Sequence, residues 1–181
     1  MLSITIPEQD LWDEVHECFI PIKEQTLRLE HSLVSLSKWE AKWHVPFLDK
    51  NREKTLEEKI DYIKFMTITQ NVNPIVYNGL TMDNVNEINK YIDDPMTATT
   101  FPKIGSERPN REIITSELIY YWMITLRIPI EFQKWHVNRL MTLIRVCEIK
   151  NRKPKKMSQR ELMSRNSALN AARKKQLHTK G

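Results

Sequence analysis

Two cysteines and five histidines are the residues best suited to hold a metal or attack a substrate, and their spacing decides what they could do together. His16 and Cys18 are two apart, while His136 and Cys147 are eleven apart, about 16 Å of axial rise on one helix and too far for one coordination sphere. A structural zinc site needs four ligands in recognisable clusters, and neither a CxxC nor an HxxxH pair occurs. No metal or cofactor is therefore expected, and His136, beside Trp135 on an apolar face, reads as a hydrogen-bonded core histidine. The chain has no GxSxG elbow and no glycine-rich phosphate loop, since Gly79 and Gly105 stand alone between polar neighbours. The carboxylate pairs Glu57-Glu58 and Asp93-Asp94 fall where helices should begin and end, so capping explains them without a catalytic dyad. The expectation is a protein without enzymatic activity.

Charge is the stronger signal. Residues 150–181 carry eleven Lys or Arg against the single acid Glu161, a formal +10, whereas 1–148 carry seventeen basic and twenty-two acidic residues, a formal −5. So sharp a split between body and arm suits a partner that is an acidic protein surface or a polyanion. Lys155, Lys156, Arg160, Arg165, Arg173, Lys174 and Lys175 are the candidate partner-binding residues. The arm has no aromatic side chain on which a base could stack, so nucleic acid is possible as a partner without being favoured.

The body that would carry this arm is long enough for one core: 181 residues in all, 40% hydrophobic, with three glycines against nine prolines, a balance that favours helices over tightly turned strands. A mainly α fold is expected, with one compact helical domain over 1–151, a small N-terminal β element, and a basic helical arm over 152–181. The two cysteines are far apart and the N-terminus lacks a basic region followed by an apolar stretch, which fits a reducing cytoplasmic setting. The longest apolar run, 118–126, covers nine residues against the roughly 18 a membrane span needs.

Alternation of Leu2, Ile4 and Ile6 with Ser3 and Thr5 predicts a strand, and the stretches around Phe19 to Ile22 and Thr26 to Leu29 predict more extended chain. From Ser32 the period changes to that of a helix carrying Leu33, Leu36, Trp39 and Trp43 and ending before Pro46. Thr55 and Glu58 form a capping box for a second helix. Asn73-Pro74 predicts a short helix with Gly79 as a left-handed stop, and Thr81 caps a third full helix bearing Met82, Val85, Ile88 and Ile92. The stretch 96–110 lacks periodicity and reads as a loop. The most apolar helix is expected over 111–127, buried nearly all round, with a hairpin partner starting at Pro129 and bearing Phe132, Trp135, His136, Leu140 and Leu143. Trp39, Trp43, Trp122 and Trp135 are all expected in the core, and Ser158 with Glu161 should cap a helix in the arm.

The segments LEHSLVSLSKWEAKW, EEKIDYIKFMTITQN, DDPMTATTF, REIITSELIYYWMITLRIPIEFQKWHVNRLMTLIRVCEIKN and KKMSQRELMSRNSALNAARKKQL resemble the tail assembly chaperones of tailed bacteriophages, over most of the chain. The resemblance implies a helical, non-enzymatic protein in the cytoplasm of the infected bacterial host. Such a protein binds the tape measure protein while tail-tube subunits polymerise around it. It assigns no individual residue a role. The alternatives are a structural component kept in the virion, such as a tail, neck or head-completion protein, and a nucleic-acid-binding module using the arm; self-association is possible under each.

Overall fold

The computed structural model describes residues 1–13, 17–101, 113–152 and 158–178. The chain is mainly α, with a small β element at its N-terminus. It divides into two units, Met1–Glu148 and Ile149–Gly181, the division falling in the last turn of a helix.

The β element is one antiparallel ribbon interrupted once. Strand β1 (Leu2–Ile6) pairs with β4 (Gln25–Leu29), and β2 (Gln9–Asp13) pairs with β3 (Cys18–Ile22). Leu2 faces Leu29 and Gln9 faces Ile22, so both segments share one register, broken where Pro7 removes an amide donor. The inward face changes at that break. Ile4, Ile6, Leu27 and Leu29 are buried in the first segment, whereas in the second Ile22 is buried while Trp12 and Phe19 face out. The alternation of β1 is legible in the sequence; β2, in QDLWD, has too little apolar alternation to be read as a strand.

Helix α1 (Leu33–Trp43) starts at a Ser32 cap and stops at His44, whose left-handed backbone (φ 56°) sends its amide back to the Glu40 carbonyl at 2.8 Å. Its Leu33, Leu36 and Trp39 are buried, and the Trp39 indole donates to the Glu58 carbonyl at 2.8 Å, tying α1 to α2 (Leu56–Met66). The capping box expected at Thr55 and Glu58 is present.

A 3-10 helix, Pro74–Gly79, follows, capped by Asn73. Gly79 is not its left-handed stop; it lies inside the element, and the chain leaves it at an extended Leu80. Its real constraint is close approach, because a Cβ there would meet the Gln9 side chain at 2.4 Å, Ile22 at 3.2 Å and Ile6 at 3.3 Å. Helix α3 (Met82–Asp93) follows its Thr81 cap but buries Asn84, Ile88 and Tyr91, leaving Met82 exposed, because Asn84 turns inward to donate to the Thr5 carbonyl at 3.2 Å.

Helix α4 (Ser116–Thr125) departs most from expectation. Only Ser116, Ile119 and Met123 are buried; Tyr121 is 60% and Ile124 74% exposed, so the helix is not enclosed all round. It packs on α1, and the expected hairpin partner does not begin at Pro129 as one helix. A 3-10 helix, Ile130–Lys134, comes first, His136 then forms a β-bridge with Ser32, and α5 (Val137–Asn151) starts after that, burying Val137, Leu140 and Ile144. Bridge formation fixes extended backbone at His136 and so prevents one continuous helix. Of the four tryptophans expected in the core, Trp39 is enclosed, Trp43 and Trp122 are half-buried at its margin, and Trp135 is half-buried without packing on the core cluster. Residues 96–101 have neither helix nor strand; the rest of the expected 96–110 loop lies outside the described residues.

The arm contains α6 (Gln159–Leu177), capped by the Ser158 and Glu161 box that its sequence announces.

Candidate functional site

Buried ionisable groups in the body are engaged in holding elements together. Glu40, on α1, accepts from the amide of Phe47 at 2.8 Å and from that of Ser116 at 2.7 Å, so one carboxylate fastens both the loop after α1 and the first turn of α4. Negative charge at a helix N-terminus is favourable, and the two amides satisfy both oxygens. Glu58 accepts from the Arg52 guanidinium and from the Thr55 amide at 2.8 Å, and these contacts, that of Arg52 foremost, hold its carboxyl below the ordinary range. At Asp61 burial acts to raise the pKa, but hydrogen bonds from Lys42 and Lys64 outweigh it and the net shift is downward.

His31 and His136 meet edge to face, their ring centroids 4.9 Å apart. His31 Nδ1 lies 2.5 Å from the Tyr62 hydroxyl, and His136 Nε2 lies 3.0 Å from the Tyr91 carbonyl. The Tyr91 hydroxyl donates to Glu30 at 2.6 Å, and Glu30 also meets the Met1 amine at 3.1 Å. Burial, followed by the nearby His136, lowers the His31 pKa to about 3, and burial likewise lowers that of His136. Both rings are neutral at physiological pH. The pair joins the chain just after β4 to the start of α5, where the Val137 amide donates to the His31 carbonyl at 2.8 Å. The hydrogen-bonded core role expected of His136 is the one it has.

Among the described residues, no three His, Cys, Asp or Glu side chains gather as a metal ion would require. Cys18 is exposed and Cys147 half-buried, and both are free thiols. No helix among the described residues is long and apolar enough to cross a membrane.

Five of the candidate partner-binding residues, Arg160, Arg165, Arg173, Lys174 and Lys175, lie on α6, and all five are exposed. Lys155 and Lys156 lie outside the described residues. At 100° per residue these cations spread around the helix instead of lining one stripe, with Lys174 and Lys175 following Arg173 into the last turn, where the helix dipole favours positive charge. Leu162 and Leu169, two turns apart, share one line, and Met163 and Leu177 are also exposed. Every described residue of α6 is exposed.

Two surface features carry no signal of helical periodicity and were not anticipated. One is the outward Tyr121 and Ile124 face of α4. The other is the aromatic pair Trp12 and Phe19, 52% and 66% exposed, whose rings meet at 5.0 Å across β2 and β3. The pairing could have been found only by recognising QDLWD as a strand with acids flanking its apolar residues.

No family model, no curated protein and no solved structure matches this chain.

Proposed function

We propose that this chain is a non-enzymatic binding protein of bacteriophage tail assembly, a chaperone that engages the tape measure protein through its basic arm in the cytoplasm of the infected host. The observation that carries this reading is α6: a capped helix of nineteen residues, rich in Lys and Arg, with every described residue exposed. A helix of this kind gains little from packing within its own unit and is marginal alone in water, so a partner surface is the natural source of its stability. Positive charge around the helix suits an acidic face of a long helical protein, and Leu162 and Leu169 supply apolar contacts for the same surface. The resemblance of the quoted segments to tail assembly chaperones is what names the partner in this proposal.

The experiment is affinity purification of the tagged full chain from infected cells, beside a truncated chain ending at Asn151, with and without nuclease. Recovery of the tape measure protein only by the full chain, unaffected by nuclease, is the expected result. Recovery that survives loss of the arm removes α6 from the mechanism. Nuclease-sensitive recovery, or stoichiometric presence in purified virions, replaces the chaperone with one of the other two readings.

A further inference from the structure

We propose that the outer face of the β2–β3 segment is a docking surface for α6 of a second copy of this chain. The proposal rests on the reading of α6 as a binding element and names one partner for it.

Strand alternation places Asp10, Trp12, Phe19 and Pro21 together on that face, all exposed, while Ile22 and Gln9 turn toward the 3-10 helix, where Gln9 donates to the Gly79 carbonyl at 2.6 Å. An isolated two-stranded segment is marginal in water, and one carrying two large aromatic side chains outward gains from being covered. The charge around the pair indicates what covers it. Between Glu8 and Glu24 the sequence holds six acids and one base, Lys23. Among the described residues, Glu8, Asp10, Glu17 and Glu24 are exposed and make no ion pair.

Helix α6 is complementary in each respect. It offers Arg and Lys side chains to the carboxylates and to the aromatic faces, and Leu162, Met163 and Leu169 to the apolar area between them. Acidic face and basic helix belong to the same chain but are different surfaces, so contact between copies is heterologous, head to tail, and each added copy presents a fresh face and a fresh arm. The contact depends on exposed charge and weakens as salt rises.

Sedimentation velocity of the full chain over a concentration series, in low and in high salt, tests this. The expected result is a mass average that climbs with concentration and falls back toward the monomer in high salt. Asp10→Lys with Glu17→Lys in one chain, and Arg173→Glu with Lys174→Glu in another, should each stay monomeric, while an equal mixture of the two should associate again. All four positions are exposed, and circular dichroism confirms that the variants keep the fold. A wild-type chain monomeric at every concentration overturns the proposal, as does association unchanged by the Asp10 and Glu17 substitutions, or a mixture that stays monomeric. Tape-measure capture separates the two readings: the Asp10 and Glu17 variant should retain it and the Arg173 and Lys174 variant should lose it.

Discussion

Glu40 illustrates how a single charged residue can organise this body. Its two oxygens serve two backbone amides that are far apart in sequence, so Glu40→Ala leaves both buried donors unsatisfied and should lower stability by about 2–4 kcal/mol. Glu40→Gln keeps one acceptor and should recover less than half of that loss, a ranking that urea denaturation would read directly. The histidine pair gives a second prediction. His31 has a folded pKa of about 3 against an unfolded value of 6.5, so its neutral form contributes stability that is complete above pH 6.5 and is lost as the pH falls toward 3. His136 is shifted the same way. The groups facing the pair are Tyr62, Tyr91 and Glu30; at His136 burial and the Met1 amine favour the downward shift, while the Tyr91 carbonyl, Glu30 and Asp94 oppose it. Between pH 6.5 and 4.5, above the range in which the depressed carboxylates Glu58 and Asp61 titrate, stability should fall by up to about 1.4 kcal/mol per pH unit for each proton taken up. The slope should flatten in His31→Gln. The buried role of His136 could be inferred from its apolar flanks in the sequence, but the Glu40 clamp could not, since a carboxylate that caps a remote helix leaves no local pattern.

Among the elements, those announced by capping residues were the most legible. Ser32, Thr55, Thr81 and Ser158 each cap the helix expected after them, because an N-cap acts within one turn and is written in adjacent residues. Which face of a helix is buried depends on what lies against it, and there the sequence misled: α4 looks apolar all round yet exposes Tyr121 and Ile124, and α3 turns Asn84 inward in place of Met82. Gly79 is a related case, a glycine kept for space and not for its backbone angle. Gly79→Ala should displace the Gln9 side chain and lower stability by about 1–3 kcal/mol. The cost should shrink in a Gln9→Ala background, where a double-mutant cycle would expose the coupling. Trp135 stacks on Phe132 at 4.0 Å between centroids, and the Arg139 guanidinium sits 4.0 Å over its ring, but the side chain is only half-buried. Trp135→Ala should therefore cost about 2 kcal/mol by thermal melting, less than the 3–5 kcal/mol of a fully enclosed aromatic.

For the molecule as a whole, the change of charge near residue 150 and the division after Glu148 fall at nearly the same place. Removing 152–181 should leave the melting temperature of the remaining chain within about 2 °C, since no described residue of α6 is buried. Differential scanning calorimetry of the truncated and full chains checks this. The shared register of the N-terminal ribbon bears on how the molecule comes to be folded at all. Asp13 pairs with Cys18 across the shortest loop of the ribbon, and every further pair out to Leu2 and Leu29 extends the same alignment. Each pairing brings the next two residues within reach, so the ribbon can zip from its tip at little added loop-closure entropy, on the microsecond scale of a hairpin. The β1–β4 segment is then the last part of the ribbon to pair, and its closure supplies the surface against which α3 packs.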